Sequence, residues 1–212
     1  MSTGRFVTLE GIEGVGKTTQ VARLSAALNE RGIAHVTTRE PGGTPLAESI
    51  RQVVLTAGEE ALSPTAELLL MFAARAVHLE NLVEPNLRAG RWVICDRFTD
   101  ATYAYQGGGR RMRADDIRDL ERMVQGERRP DLTLLLDAPV AEALARARER
   151  NLGTVADRFE RERSEFFERV RDAYRARAAA EPHRIAVIDA TQSADEVIVR
   201  ILALLRERSW IS

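Results

Sequence analysis

The sequence is poor in lysine, cysteine and long apolar runs. Lys17 is the only lysine among 31 basic residues, so all the others are arginine. Cys95 is the only cysteine, which excludes a disulfide within the chain, and its apolar neighbours predict a buried thiol in a reducing compartment. No apolar run approaches the roughly 20 residues of a membrane span, and the beginning of the chain lacks a signal-peptide pattern. We therefore expect a soluble, cytoplasmic protein with no membrane partner.

The sequence also lacks an excess of charge of either sign. Its formal net charge is -1 and its pI is near 6.4, so it offers no global attraction to nucleic acid, which normally needs a basic face. The three histidines, His35, His78 and His183, show no metal-ligand spacing. We expect their side chains to be structural or exposed. Charged residues are therefore expected to act at individual binding sites and not through the net charge of the protein.

Strand-length apolar stretches alternate with helix-like segments. The stretches occupy residues 6–9, 35–37, 92–95, 132–136 and 185–188. This alternation predicts an α/β fold, a five-stranded parallel sheet flanked by helices on both faces, within one domain spanning residues 1–212. Breaker-rich stretches at 41–45, 106–109 and 151–156 predict loops, and Pro85 is expected to end a long helix.

A glycine-rich phosphate-binding motif follows the first strand. Residues 11–18 match G-x-x-x-x-G-K-[ST], directly before an amphipathic helix. Backbone N–H groups of such a loop surround phosphates, while the lysine reaches the β- and γ-phosphates and the hydroxyl binds Mg²⁺. A compact ammonium group fits here where a guanidinium cannot, which favours a catalytic role for Lys17. The predicted ATP-binding residues of this segment are Gly11, Ile12, Glu13, Gly14, Val15, Gly16, Lys17, Thr18 and Thr19.

The third strand ends in Asp96-Arg97. If it neighbours the first strand, Asp96 joins Thr18 as a candidate Mg²⁺ residue, although a helix cap or turn former is the alternative. Arg97 at the same edge can hold two phosphates as they approach. A guanine-reading Asn-Lys-x-Asp motif is impossible without a second lysine, which favours ATP as the donor.

Several further motifs occur in a familiar order along nearly the whole chain. They are Leu9-Glu10-Gly11, Thr38-Arg39-Glu40-Pro41-Gly42-Gly43-Thr44, Phe72-Ala73-Ala74-Arg75, Asp96-Arg97-Phe98 and Ala104-Tyr105-Gln106-Gly107-Gly108-Gly109. Their order and spacing closely resemble those of bacterial thymidylate kinases, P-loop enzymes of nucleoside monophosphate kinase type. The resemblance implies transfer of the γ-phosphoryl group of Mg·ATP to dTMP, giving dTDP for dTTP synthesis, and a homodimer.

The resemblance also implies an acceptor site. Glu40 organises the pocket, Arg51 and Arg97 hold the acceptor phosphate, and Arg39 helps from the rim. Phe72 stacks on thymine, although core packing is the alternative for its ring. The other implied contacts are Arg75 and Thr102 with the base edge, Tyr105 and Gln106 with sugar and base, and Glu13 with the 3′-hydroxyl.

An arginine-rich stretch at about 146–160 resembles the mobile lid of the family. The P-loop interior has no arginine, so Arg150 and Arg158 are the first candidates to supply catalytic charge, with Arg148 behind them. A solvated helix face with i,i+4 charge pairs explains Arg146 and Arg150 equally well. Arg146 and Thr191 are assigned to the ATP side, where residues 189–192 resemble the adenine-side loop or form a simple turn and cap.

Two rival functions remain open from the sequence. The first is that of another monophosphate kinase of the same architecture, acting on UMP, CMP or dCMP. A P-loop regulatory module that binds ATP and signals to a partner is the alternative from a different class.

Overall fold

The computed structural model describes residues 4–56, 61–150, 158–159 and 162–212. Within them, five strands form one parallel sheet in the order β2-β3-β1-β4-β5. This confirms the predicted α/β fold. The strands are β1 (Phe6–Glu10), β2 (His35–Arg39), β3 (Trp92–Asp96), β4 (Leu132–Asp137) and β5 (Ile185–Asp189).

Helices connect the strands and pack against the sheet. In the described part of the chain they are α1 (Lys17–Glu30), α2 (Pro45–Leu55), α3 (Pro64–His78), α4 (Glu84–Arg88), α5 (Thr99–Thr102), α6 (Ala114–Gln125), α7 (Val140–Arg150), α8 (Ser164–Ala180) and α9 (Ala194–Glu207). Two π-helical segments, Leu79–Val83 and Tyr103–Gly109, join α3 to α4 and extend α5.

Local sequence accounts for most helix beginnings. The Thr44 and Ser63 side chains accept backbone N–H bonds at the starts of α2 and α3, each followed by a proline whose missing N–H is not needed there. At α9, Ser193 and Glu196 form a reciprocal capping box. These signals set where each helix begins and therefore which loops face the sheet edge.

The central strands are buried on both faces. Every residue of β1 is buried, as are the first four of β3 and five of β4. Helices α1 and α9 pack on each other and on the sheet, and α8 contacts β4 and β5. The near-continuous apolar strands follow from this double coverage.

Two sequence predictions about breakers were wrong. The helix does not end at Pro85. This proline lies in the first turn of α4, directly after a π-helical segment, and its ring is accommodated there. Residues 106–109 are helical and not a loop. A Cβ atom would lie 2.7 Å from the Ala173 Cβ at Gly108 and 2.5 Å from the Phe166 ring at Gly109, so these glycines allow close packing on α8. The loop predicted at 151–156 lies outside the described residues.

Candidate active site

The phosphate-binding loop, β2 and β3 meet at the carboxyl edge of the sheet. Leu9 of β1 is in register with Asp96 of β3, which fulfils the condition set for a role of Asp96 beside the loop. A cavity of about 240 Å³ opens there. Its lining combines loop residues with side chains from α2, α3 and the segment after β3.

Backbone conformation shapes the phosphate-binding loop. Gly11, Gly14 and Gly16 all have positive φ, at 132°, 79° and 92°. At Gly14 a Cβ atom would lie 1.8 Å from the Ala143 carbonyl oxygen, so only glycine fits. The loop therefore has the conformation that turns backbone N–H groups toward an anion.

Lys17 lies at the start of α1 with its ammonium group in the loop. Its Nζ donates to the carbonyl oxygens of Gly11 at 3.0 Å and Ile12 at 2.8 Å. Burial, followed by the nearby charge of Arg97, lowers the pKa of Lys17 to about 8. A bound triphosphate would add negative charge beside this ammonium group.

Thr18 and Asp96 lie together, as the sequence predicts. The Thr18 hydroxyl donates to the Asp96 carboxylate at 3.3 Å. Among the described residues there is no group of three or more His, Cys, Asp or Glu able to hold a metal ion. One hydroxyl and one carboxylate fit Mg²⁺, because this ion prefers oxygen ligands and usually keeps waters and substrate phosphates.

Arg97 links the loop to the acceptor side of the cavity. It has a φ of 75° and donates to Gly11 O at 2.9 Å and to Glu13 at 2.9 Å. The Tyr105 hydroxyl donates to the same carboxylate at 2.7 Å, and the Tyr105 ring lies 4.8 Å from the Arg97 guanidinium carbon. The loop carboxylate therefore faces a cation and a hydroxyl.

A buried acid lies beneath Arg97. Glu10 accepts bonds from the Tyr174 hydroxyl and the Phe98 N–H, both at 2.7 Å, and Arg97 donates to the Tyr174 oxygen at 3.2 Å. Burial, followed by the charge of Asp100, raises the pKa of Glu10 to about 8. No sequence motif indicates a role for Glu10 or Tyr174. A charged residue ending an otherwise apolar buried strand was the available signal for Glu10.

Glu40 organises a buried cluster behind the cavity. Its carboxylate contacts Arg75 Nε and His78 Nδ1, each at 2.8 Å, and the other ring nitrogen of His78 lies 2.8 Å from the Thr38 hydroxyl. Burial opposes ionisation, but Arg75 and His78 outweigh it and hold the pKa of Glu40 below its usual value. This cluster fixes the position of Arg75.

Arg75 has one donor left over. Its Nη2 donates to the Thr102 hydroxyl at 2.9 Å, whereas Nη1, although buried, has no hydrogen-bond partner among the described residues. The guanidinium lies 4.9 Å from the Phe72 ring centre and 5.0 Å from that of Phe98. An unpaired buried donor is costly unless a ligand uses it.

Phe72 itself lies in the core. Its ring is 2% exposed, belongs to a cluster with Leu68 and Ile117, and is not among the described residues that line the cavity. The Phe72 ring therefore packs in the core, which was the alternative to stacking on a base. Stacking on a base stays a prediction that requires the ring to become accessible.

Gln106 complements Arg75 with an unpaired acceptor. Its Nε2 donates to Glu67 at 2.6 Å, while the buried Oε1 has no partner in the described structure. Gln106 and Tyr105 both line the cavity. No sequence motif identifies Glu67, a fully buried carboxylate within the apolar face of α3.

Arg39 and Arg51 line the opposite side of the cavity. Arg39 donates to Glu48 at 2.9 Å, and Arg51 donates to the Pro41 carbonyl oxygen at 2.9 Å. Glu48 also accepts the Gly43 N–H at 2.9 Å, so α2 holds the Pro41–Gly43 turn in place. Two cations therefore face the space between the loop and α2.

Two described residues of the predicted lid, Arg158 and Phe159, contact residues of α2, α3 and the segment after β3. Arg158 pairs with Glu67 and donates to Val54 O at 3.2 Å, and it does not line the cavity. Phe159 packs edge-to-face on Tyr105 with ring centres 5.6 Å apart and covers the cavity. Residues 151–157 and the side chain of Arg150 lie outside the described part of the chain.

The predicted adenine-side residues meet at the end of β5. Arg146 donates to Ala190 O at 2.7 Å, and both the Thr191 hydroxyl and N–H donate to Asp189. The local geometry is a turn followed by the capped start of α9. It lies at the same sheet edge as the phosphate-binding loop.

A phosphate-binding loop at the carboxyl edge of this five-stranded parallel sheet, in a cavity that arginines also line, is the arrangement of P-loop nucleoside monophosphate kinases. A family model described as thymidylate kinase matches residues 9–201. The chain belongs to the thymidylate kinase family.

Individual relatives agree over the whole length. A thymidylate kinase of Chromohalobacter salexigens is 57% identical over 213 residues, covering 99% of this chain and 100% of the relative. One from Pseudomonas entomophila is 55% identical over 203 residues, covering 96% and 95%. The crystal structure of thymidylate kinase from Ehrlichia chaffeensis superposes with a TM-score of 0.77 at 32% identity, covering 95% of this chain and 98% of that chain.

Proposed function

We propose that the cavity binds ATP and dTMP and carries out the reaction of the thymidylate kinase family. In this reaction an anionic oxygen of the dTMP phosphate bonds to the γ-phosphorus of ATP. The bond between that phosphorus and the β,γ-bridging oxygen breaks, giving dTDP and ADP. Because the attacking oxygen is already anionic, no general base is needed, and catalysis rests on positioning and charge neutralisation.

The donor side is built on the phosphate-binding loop. Backbone N–H groups of the loop, together with Lys17, would hold the β- and γ-phosphates, with Thr18 and Thr19 at the start of α1. Thr18 and Asp96 would hold Mg²⁺, which supplies charge neutralisation on the phosphates when bound. Arg146 and Thr191 would lie on the adenine side.

The acceptor phosphate would lie among the arginines of the cavity. Arg97, Arg51 and Arg39 offer charge-assisted, bidentate hydrogen bonds to a dianion. Arg97 already contacts the loop at Gly11, so it can hold the acceptor phosphate close to the donor. Tyr105 and Glu13, joined by a hydrogen bond, would contact the deoxyribose, with Glu13 on its 3′-hydroxyl and Tyr105 excluding a 2′-hydroxyl.

The observation that carries the choice of thymine or uracil over cytosine is the pair of unpaired polar atoms, Arg75 Nη1 and Gln106 Oε1. Thymine presents a carbonyl oxygen, O4, next to a ring N3–H donor. The Gln106 acceptor, in the lining of the cavity, fits N3–H. The Arg75 donor fits O4 once its buried guanidinium, which is not among the described residues that line the cavity, becomes accessible to the base. Cytosine presents an amino donor and a ring-nitrogen acceptor at these positions, which reverses both contacts and disfavours dCMP.

The lid would contribute the remaining charge. Since Arg158 pairs with Glu67, we assign the catalytic role at the transferring phosphoryl group to Arg150, with Arg158 anchoring the closed lid. Closure would exclude water and strengthen electrostatic contacts at the phosphates.

We further propose that the protein is a single-domain, cytoplasmic homodimer that uses Mg²⁺. The dimer is supported by the family resemblance of the sequence. A reducing compartment is supported by the buried, unpaired thiol of Cys95. No helix in the described ranges is long and apolar enough to cross a membrane.

Coupled ADP release tests the proposal directly. The purified chain is assayed with ATP and Mg²⁺ against dTMP, dUMP, UMP, CMP, dCMP, AMP and GMP. We expect the highest kcat/KM with dTMP and a low value with dCMP. A clear preference for UMP or CMP would overturn the proposed acceptor, and ATP binding without transfer to any acceptor would support the regulatory alternative.

A further inference from the structure

Glu67 connects three elements around the acceptor pocket. It lies in the first turn of α3 and is fully buried. Its carboxylate accepts from Gln106 Nε2 at 2.6 Å and from Arg110 Nε at 3.2 Å, and it pairs with Arg158. No reaction step proposed above uses this carboxylate.

The contact with Glu67 decides which way the Gln106 amide points. A carboxylate is an acceptor only, so it can pair with the NH₂ group of a glutamine but not with its oxygen. Gln106 therefore has to turn Nε2 toward Glu67, which leaves Oε1 as the atom without a partner. The orientation of the amide follows from the hydrogen-bond network and not from shape.

Two guanidinium groups compensate the buried charge of Glu67. Arg110, on the segment after Gln106, and Arg158, near the end of the lid, both form ion pairs with it. A buried carboxylate with two cationic partners keeps its role as acceptor, whereas an unpaired one would be costly. The surroundings of Glu67 therefore maintain the same amide orientation.

We propose that Glu67 is a positioning residue that sets the base preference of the acceptor site by fixing the Gln106 amide with its oxygen toward the base. This inference rests on the proposed function, because it takes the base edge to lie at Gln106 Oε1. The carboxylate selects a base with a ring N–H at that position and disfavours one with a ring-nitrogen acceptor.

Exchanging the carboxylate for an amide releases this constraint. In Glu67→Gln, residue 67 can donate as well as accept, so Gln106 can turn over and present its NH₂ group to the base. The reversed amide suits the ring-nitrogen acceptor of cytosine. The substitution should therefore change which base is used, beyond any general loss of activity.

The test is the ratio of kcat/KM for dTMP to that for dCMP, measured by coupled ADP release for parent and Glu67→Gln. We expect the ratio to fall at least tenfold, through a higher KM for dTMP and improved use of dCMP, with the KM for ATP unchanged. The matched control is Glu84→Gln, which removes a carboxylate paired with Arg128 outside the cavity and should leave the ratio at the parent value.

A double-mutant comparison separates positioning from general destabilisation. In a Gln106→Leu background the ratio should already be low, and adding Glu67→Gln should change it little further. Glu67→Asp keeps an acceptor-only group and should retain the ratio even if both KM values rise. If Glu67→Gln does not fold, Glu67→Ala is the second variant: it also removes the acceptor-only partner of Gln106 and should lower the ratio, whereas a ratio at the parent value would overturn the role of Glu67.

The outcomes also separate this inference from the proposed function. A parent chain with no preference for dTMP over dCMP would overturn the proposed acceptor. A parent that prefers dTMP, together with an unchanged ratio in folded Glu67→Gln, would overturn only the role of Glu67. An unchanged ratio in Gln106→Leu would overturn both the role of Glu67 and the base contact assigned to Gln106.

Discussion

Lys17 and Arg97 donate to the same backbone oxygen, the carbonyl of Gly11, at 3.0 and 2.9 Å. Two cations share one neutral acceptor, and the nearby carboxylates of Asp96, Glu13 and Glu10 offset only part of the effect of burial and of Arg97 on Lys17. Burial and the charge of Arg97 therefore lower the pKa of Lys17 to about 8. A triphosphate is the kind of ligand that resolves this arrangement.

Removing the ammonium group should abolish most turnover. In Lys17→Ala we expect kcat to fall on the order of 10²-fold or more, as is typical when a charge-stabilising donor is lost. Far-UV circular dichroism should show that the fold is intact, because the side chain contacts only the loop. Lys17→Arg is the matched control for charge. It should not restore activity, since a broad guanidinium does not fit the loop, and near-parent turnover in either variant would contradict the proposed role.

Binding of ATP should be coupled to proton uptake near pH 8. In the free protein Lys17 is about half protonated there, and the phosphates of ATP favour the charged form and raise its pKa. The affinity for ATP should therefore fall as the pH rises above about 8. Calorimetric titrations in buffers of different ionisation enthalpy measure the uptake, and Lys17→Ala supplies the baseline. Equal uptake in parent and variant would assign the proton to another group.

Local patterns predicted most of the fold and the donor side of the site. The five strands and the phosphate-binding loop follow from apolar runs and from motifs adjacent in sequence. The proximity of Thr18 to Asp96 was predicted on the condition that β3 lies beside β1, which the sheet order fulfils. The π-helical segments did not follow, because Gly108 and Gly109 are selected by their contacts with α8 and not by a turn.

Long-range contacts explain what the sequence could not predict on the acceptor side. Glu67 and Gln106 are 39 positions apart, and Glu67 and Arg158 are 91 apart. The charge of a residue does not indicate which distant partner it meets. For this reason the sequence identified Arg158 as a lid cation without predicting its pairing with Glu67.

The buried acid Glu10 should make stability depend on pH. Its pKa is raised to about 8 in the folded chain, so between about pH 4.5 and pH 8 the folded state retains a proton that the unfolded state has released. Stability should therefore fall as the pH rises through this window. In Glu10→Gln this dependence should be absent, so the Tm of the variant relative to the parent should increase from pH 5 to pH 8. Parallel Tm profiles would rule out titration of Glu10 in this range.

Arg75 should act on the acceptor and not on ATP. Arg75→Lys keeps a positive charge beside Glu40. It lacks the planar guanidinium, which in the parent binds Glu40 and Thr102 and still has Nη1 free for a ligand. We expect the KM for dTMP to rise about tenfold or more, the cost of one charge-assisted hydrogen bond, with the KM for ATP unchanged. Thr102→Val removes only the hydroxyl that accepts from Arg75 Nη2 and should raise the KM for dTMP by a smaller factor. An effect confined to the KM for ATP would place Arg75 on the donor side.

The two lid arginines should differ in the kinetic parameter that they control. Arg150→Ala is expected to lower kcat on the order of 10²-fold with little change in the KM for dTMP, because a charge felt only at the transferring group stabilises the transition state. Arg158→Ala removes a partner of Glu67 and an anchor on Val54 O, so it should mainly raise the KM for dTMP. Steady-state kinetics with both substrates varied distinguishes the two patterns. A large loss of kcat in Arg158→Ala with parent-like Arg150→Ala would assign the catalytic charge to Arg158, and would require its guanidinium to leave Glu67 when the substrates bind.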